Sequence, residues 1–206
     1  MKPTAANYAF IASKIKERFN PISDESVTAL LSICTHKVVK NRQKVITPQG
    51  KDVKGYFFYI ITGLVRGFQY DKDGKELNLF IKPESTFAGS LDQFSAHNSL
   101  SNYQFESILE SEVLIFNLDE FEKLVFENKE LYSLYTQGLK ENIIMLINRV
   151  KSLTQKQPEQ RYTELIEMHP VFFKKAFNKH IASYLGITPV SLSRIMKRTK
   201  ETRQKS

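Results

Sequence analysis

Apolar residues change their spacing along the chain, and each change predicts a different kind of secondary structure. Residues 11–19 carry an apolar residue every four positions, which predicts a short amphipathic helix. A second helix is expected after Ser23, because serine favours the N-cap position. Residues 36–116 hold short runs of aromatic and β-branched side chains, and Asp73-Gly74 is a strong hairpin-turn signal. We expect this region to form many short strands in a β-roll or jelly roll.

Helical spacing returns near residue 118 and continues through one long segment, residues 129–154. Two apolar stripes run along this predicted helix, and two stripes need two partners. The first stripe steps by threes and fours, as in a two-helix contact: Tyr132, Tyr135, Leu139, Ile143, Leu146, Val150 and Leu153. The second comprises Leu131, Leu134, Ile144 and Ile147. We expect the β region to cover one stripe and a second copy of the helix to cover the other; one broad core-facing side without a dimer is the alternative.

Proline residues mark the end of the long helix and of the helix that follows it. Pro158 lies in a polar stretch that we expect to be a linker and then the first turn of another helix. His169-Pro170 should end that helix. The patterns together predict an α+β chain: a β-roll (double-stranded β-helix or jelly roll), a long helix and a C-terminal helical domain. The expected parts are a β-roll domain at 1–127, a dimerisation helix and hinge at 128–155, and the C-terminal domain at 156–206.

The segment "HIASYLGITPVSLSRIMKR", residues 180–198, has the pattern of two helices that cross closely. A small residue, Ala182, would permit the close approach, and Gly186 can adopt the left-handed backbone of the turn. Thr188 suits the N-cap of the second helix and Pro189 its first position. The expected buried positions are Ile181, Leu185, Ile187, Leu192 and Ile195. This spacing predicts a helix-turn-helix.

Positive charge is concentrated at the same end of the chain. Residues 171–206 contain nine Lys and Arg against one acidic residue, and the other 170 residues have no net charge. A basic end on a neutral body indicates a polyanionic partner. An ordinary helical hairpin with a solvated basic face is the alternative.

A helix-turn-helix places its second helix in the major groove of DNA. The outward residues of that helix are expected to contact DNA: Thr188, Pro189, Val190, Ser191, Ser193, Arg194, Lys197 and Arg198. Arg194 can bind guanine O6 and N7 with two hydrogen bonds. Lys197 and Arg198 suit phosphates, which fix the position of the protein without reading sequence.

Four stretches resemble the Crp-Fnr family of bacterial transcription regulators. In the β region they are the strand "GLVR", the hairpin "DGKE" and a loop beginning "FAGS"; near the C-terminus the stretch is "IASYLGITPVSLSRI". The resemblance covers nearly the whole chain. It implies a homodimer joined by the long helix and a cyclic-nucleotide-binding-like roll that senses an unknown small-molecule effector. It also implies a C-terminal domain that binds double-stranded DNA and acts with RNA polymerase.

The predicted effector pocket departs from the family pattern. Members that bind cyclic AMP have a Gly-Glu-Leu loop followed by an Arg-Ser or Arg-Thr pair. This chain has Gly89-Ser90-Leu91, and it has no arginine between Arg66 and Arg149. Because a buried phosphate without a cationic partner is costly, we expect no binding of cyclic AMP in the usual way. The resemblance places the pocket at Phe87, Gly89, Ser90, Leu91, Ser99, Ser101 and Tyr103.

The recognition helix departs from the family as well. Its best-known members have an arginine and a glutamate where this chain has Pro189 and Val190. Arg194 alone matches a base-reading residue. The DNA sequence that this chain recognises therefore cannot be inferred from the operators of those members.

Other classes of function have less support in the sequence. The four histidines are dispersed and Cys34 is the single cysteine, so we expect no disulfide, metal site or cofactor. No nucleophile–base pair is apparent, which argues against an enzyme. No apolar run of about 18 residues occurs, and we expect a cytoplasmic protein without a membrane segment. Two alternatives to DNA binding are a cupin-like enzyme and a binding module. The cupin-like enzyme would need a histidine cluster inside the barrel, and the β region offers only His36 and His97. The second is an effector-binding β-roll module whose basic C-terminal hairpin binds a protein or a membrane rather than DNA.

Overall fold

The structure is a computed structural model of the chain, and it describes residues 5–45, 56–89 and 103–204. The helices are α1 (Ala5–Arg18), α2 (Asp24–Ser32), α3 (Leu118–Glu127), α4 (Lys129–Gln155), α5 (Pro158–Met168), α6 (Pro170–Lys175), α7 (Asn178–Leu185) and α8 (Pro189–Gln204). The strands are β1 (Cys34–Val39), β2 (Tyr56–Thr62), β3 (Leu64–Tyr70), β4 (Glu76–Pro83), β5 (Thr86–Gly89), β6 (Gln104–Ser107) and β7 (Ser111–Asn117). The predicted combination of helices with antiparallel sheets is confirmed.

The chain divides into two compact units. The first comprises Met1–Gly67 and Ile81–Asn142, and the second comprises Phe68–Phe80 and Ile143–Ser206. The second unit therefore contains the hairpin between β3 and β4 together with the C-terminal helices.

The strands form two sheets, with strand orders β1-β7-β2-β5 and β4-β3-β6. In the larger sheet β2 pairs antiparallel with both β7 and β5. Five consecutive residues of β2 are buried, because both of its faces are covered. Tyr59 packs in the cluster formed with the helices, while Phe58 meets Phe105 of β6 edge to face at 5.0 Å between ring centroids. A strand covered on both faces accounts for the continuous apolar run "YFFYII".

Helices α1 to α4 cover one face of the larger sheet with an aromatic core. Phe57 stacks on Phe87 at 4.8 Å and lies 4.7 Å from Phe121 of α3, measured between ring centroids. Ile11 of α1 and Leu131 of α4 are fully buried in the same cluster. Burial of these side chains is the main stabilising contribution to the unit.

The long helix is confirmed as α4, but its apolar residues divide along the helix rather than into two stripes. Leu131 and Leu134, near its start, are buried in the core of the first unit. Ile144, assigned to the same stripe as these two, is 57% exposed, and Val150 of the other stripe is 59% exposed. The first half of the helix therefore packs within this chain, and the second half presents apolar side chains to solvent.

The second unit has its own small core, formed by α5, α6, α7 and α8. Leu165, Phe172, Ile181, Leu192 and Ile195 are buried there. The predicted stop at His169-Pro170 is correct, since α5 ends at Met168. The same proline also begins α6, a helix that was not predicted from the sequence; proline is well tolerated at the first position of a helix.

None of the helices in the described ranges is long and apolar enough to cross a membrane. Nor do the described side chains include a group of three or more His, Cys, Asp or Glu residues that could hold a metal ion.

Candidate nucleic-acid interface

A tight turn at Gly186 joins α7 to α8, as the sequence predicts. Gly186 has φ 67° and ψ 35°, which is left-handed backbone. Its N–H donates to Ser183 O at 3.1 Å, and the N–H of Ile187 donates to Ala182 O at 3.0 Å. A Cβ at this glycine would lie 3.1 Å from Leu153 Cδ2. Both the backbone conformation and the nearby leucine therefore favour glycine.

The start of α8 has the predicted cap. Thr188 Oγ1 accepts a hydrogen bond from the N–H of Ser191 at 3.1 Å, and Pro189 is the first helical residue. This bond satisfies a backbone donor that the first turn of a helix otherwise leaves unpaired. Leu192 and Ile195 are buried against the rest of the unit, so the opposite side of α8 faces outward.

The outward side of α8 carries most of the predicted DNA contacts. The exposed ones are Thr188, Pro189, Val190, Ser193, Arg194, Lys197 and Arg198, and Ser191 is half-buried. The Ser193 hydroxyl donates to Pro189 O at 3.0 Å within the helix. The hydroxyl oxygens of Ser191 and Thr188 lie 3.0 Å apart. The two serine hydroxyls are thus engaged locally, whereas the basic side chains extend from the helix.

The basic residues of α8 differ in their partners. No described side chain forms an ion pair with Arg194 or Lys197, whereas Arg198 Nη2 forms an ion pair with Glu159 Oε1 of α5. An open groove of about 580 Å³ lies between the start of α5 and α8. Its lining residues are Pro158, Glu159, Ser191, Arg194, Ile195, Lys197 and Arg198. A groove with this charge is suited to an anionic ligand.

Two arginines hold the C-terminal end of α7, close to the turn. Arg161 Nε donates to Leu185 O at 2.9 Å. Arg149 donates to Tyr184 O, and its guanidinium lies 3.9 Å from the centre of the Tyr184 ring. Burial lowers the pKa of Arg149. Cations at the end of a helix complement its dipole. Neither contact was predicted from the sequence, because a single arginine in a helix is usually a solvated residue.

The hairpin between β3 and β4 also contacts α7, a contact that was not predicted from the sequence. The Ser183 hydroxyl accepts from the N–H of Asn78 and donates to Glu76 O, both at 2.9 Å. The buried His180 places Nδ1 3.2 Å from Glu76 Oε2, and Lys179 Nζ lies 3.9 Å from Glu76 Oε1. These contacts fix α7 against the hairpin within the second unit.

The predicted effector-pocket residues fall partly outside the described residues, namely Ser90, Leu91, Ser99 and Ser101. Tyr103 is half-buried. Phe87 packs in the aromatic core, 4.8 Å from both Phe57 and Tyr59. Gly89 permits a close strand approach, since a Cβ there would lie 2.8 Å from Tyr56 O. The pocket itself stays a prediction.

The first unit contains the buried cations Arg66 and Lys82, and neither burial was predicted from the sequence. Arg66 is 1% exposed, and its Nε donates to Glu106 Oε1 at 2.8 Å. Lys82 is 6% exposed, and its Nζ donates to Asn142 Oδ1 at 2.5 Å. Burial lowers the pKa of Lys82 to about 8, and the nearby Glu141 acts in the opposite direction. Lys82 directly follows the apolar residues "LFI" on β4. This position in an apolar strand is the sequence feature that could have indicated its burial.

No family model and no curated protein matches the chain by sequence. Solved structures do match it. A protein from Eubacterium rectale assigned to the Crp/Fnr family of transcriptional regulators has a TM-score of 0.67 and 9% identity, over 89% of this chain and 86% of that one. The c-di-GMP-responsive global regulator CLP of Xanthomonas campestris has a TM-score of 0.66 and 16% identity, over 87% and 93% of the two chains.

FixK2 from Bradyrhizobium japonicum has a TM-score of 0.63 and 16% identity, over 82% of this chain and 86% of that one. At these identities the likeness concerns the fold. The chain therefore has the fold of the Crp-Fnr regulators over more than four fifths of its length.

Proposed function

We propose that the chain is a sequence-specific DNA-binding transcription regulator of the Crp-Fnr type. The observation that carries this proposal is the exposed basic side of α8, which follows a glycine turn and a threonine cap. In a helix-turn-helix, such a helix enters the major groove. The regulators named above, which share the fold, support the same function. The activity is binding rather than catalysis, with RNA polymerase as a partner at the promoter.

Each part of the chain has a role in this proposal. Residues 1–127 form a sensor domain, residues 128–155 a dimerisation helix and hinge, and residues 156–206 the DNA-binding domain. A small-molecule effector of unknown identity acts through the sensor. It is not held by the glutamate and arginine that bind cyclic AMP in the family, since the loop that begins at Gly89 has neither at the corresponding positions.

The exposed apolar residues of α4 support a homodimer. Ile143, Leu146, Ile147, Val150 and Leu153 are each at least 37% exposed. Their spacing suits a two-helix seam, and burial of this surface against a second copy would remove it from water. A two-fold dimer presents its two α8 helices to half-sites about 34 Å apart on DNA.

Arg194 and Lys197 should have different effects on DNA binding. We expect Arg194 to read a guanine and Lys197 to contact a phosphate. Arg194→Ala should then weaken binding to the preferred site by about 1–3 kcal/mol and relax selectivity at one base position. Lys197→Ala should weaken binding to all sequences alike and reduce the salt dependence.

Selection of bound sequences from random duplexes, followed by anisotropy titrations, tests the proposal. Lys123→Ala serves as a matched control, because Lys123 is exposed on α3 of the other unit. Failure to select any sequence would contradict the proposed function. If Arg194→Ala lowered the affinity for selected and random DNA equally, Arg194 would contact the phosphate backbone and not a base. Binding of the basic helices to anionic vesicles or to a protein, without DNA binding, would support the alternative function.

A further inference from the structure

Glu159 is the one carboxylate among the described side chains that line the groove beside α8. It lies in the first turn of α5, directly after Pro158, and pairs with Arg198. Arg194 and Lys197 line the same groove. The groove therefore contains three basic side chains and one acidic partner, and that partner is bound to only one of the three.

We propose that Glu159 is a positioning residue that withholds Arg198 from the DNA backbone and so limits the affinity of the protein for DNA of any sequence. The inference rests on the proposed DNA-binding function. In the structure Nη2 of Arg198 donates a hydrogen bond to Glu159 Oε1 of α5. A phosphate that accepts from Nη2 must displace the carboxylate from that donor.

The energetics allow this competition without locking Arg198 in place. The side chains of Arg198 and Glu159 are 64% and 51% exposed, and ion pairs at such exposure contribute about 0–1 kcal/mol. The pair is therefore weak enough to break. The carboxylate is nevertheless favoured where it stands, because the N-terminal end of a helix stabilises negative charge. It also repels an approaching phosphate, which carries the same sign of charge.

Salt dependence distinguishes this role from a purely structural one. Each phosphate neutralised by a protein cation adds about 0.9 to the slope of log K against log salt. Glu159→Gln frees Arg198 to make one such contact. The slope of log K against log salt for this variant should therefore be steeper than that of the wild type by about 0.9. The affinity lost between about 50 and 200 mM salt should then be about 3.5-fold larger than in the wild type. The affinity of the variant for random DNA and for selected DNA should increase by the same factor, because a phosphate contact carries no sequence information.

The experiment is a double-mutant cycle with Glu159→Gln and Arg198→Gln, measured by anisotropy over a salt series. Arg198→Gln should change the slope little in the wild-type background and lower it by about 0.9 when Glu159 is already Gln. Glu164→Gln is the matched control: Glu164 lies on the same helix, pairs with Lys156 and does not line the groove. Its slope should equal that of the wild type.

Several outcomes would overturn the proposal. A wild-type slope in Glu159→Gln, with a lower unfolding temperature, would make the pair a structural tether between α5 and α8. An equal effect of Arg198→Gln in both backgrounds would show that Arg198 already contacts DNA in the wild type. If the wild-type protein bound no duplex at any salt concentration, the proposed function itself would fail, which is a different result from either of these.

Discussion

The buried ammonium of Lys82 makes a quantitative prediction about stability. Lys82 lies on β4 with 6% of its surface exposed. Lys82 Nζ donates to Asn142 Oδ1, which is neutral. Burial lowers the pKa of Lys82 from 10.5 to about 8. The neutral amine is therefore more favourable in the folded protein than in the unfolded chain. Replacement by an apolar side chain of similar length, Lys82→Met, removes this penalty.

The penalty follows from the difference between the two pKa values. The pKa of Lys82 in the folded protein lies between two and three units below its ordinary value, and at about 1.4 kcal/mol per unit this corresponds to about 3 kcal/mol at low pH. Above pH 8 the folded protein releases the proton while the unfolded chain keeps it until 10.5. The unfolded state then binds more protons, so the free energy of unfolding rises with pH. From about pH 7 to pH 9.5 the rise should be about 2 kcal/mol.

Urea unfolding at these two pH values measures the effect. The free energy of unfolding of the wild type should rise by about 2 kcal/mol relative to that of Lys82→Met. At pH 7 the variant should be the more stable protein, by less than the full penalty, since it also loses the bond to Asn142. Lys140→Met, at an exposed position of α4, is the control and should keep the wild-type pH dependence. A pH dependence in Lys82→Met as steep as that of the wild type would refute the reasoning.

Two further predictions concern the assembly and the effector. Leu146→Glu combined with Val150→Glu should give monomers in analytical ultracentrifugation, because the seam would contain like charges; Asn148→Glu is the control, and an unchanged mass for the double variant would exclude this dimer. Calorimetry should detect no micromolar binding of cyclic AMP, because the loop lacks the family's arginine and the buried Arg66 is already paired with Glu106. Micromolar affinity would show that the argument from missing charge is wrong.

The turn region could be predicted from sequence because its determinants are local. Gly186, Thr188 and Pro189 each have a preference that holds for a single residue in a given backbone conformation. Ala182 and Leu192 are spaced to meet where two adjacent helices cross, and both are fully buried. Over such short separations the sequence pattern and the structure agree.

The long helix α4 shows where periodicity alone fails. Its spacing gives the helix and its apolar positions, but not which of them this chain covers. Leu131 and Leu134 are buried because α1, α2, α3 and the larger sheet pack in the same core, and Ile143 and Val150 are exposed beyond it. Which positions a core covers depends on the tertiary arrangement, and residue spacing does not contain that information.

Polar contacts between distant segments were the hardest features to anticipate. Glu159 and Arg198 are 39 residues apart and meet across α5 and α8. Each reads in the sequence as an ordinary solvated charge. Only the packing of the small core of the second unit brings the two side chains together, and the proposed role of Glu159 depends on that packing.

The contact between the hairpin and α7 shows the same limit most clearly. Ser183 donates to Glu76 O, which is 107 residues away in the chain, and it accepts from the N–H of Asn78. Division of the sequence at residue 127 assigns this hairpin to the sensor, whereas its tip, Phe68–Phe80, belongs to the same compact unit as α7. The first bond uses a backbone C=O, which every residue has, and the second uses a backbone N–H, which every residue except proline has. The side-chain pattern of the hairpin therefore could not have indicated these two bonds.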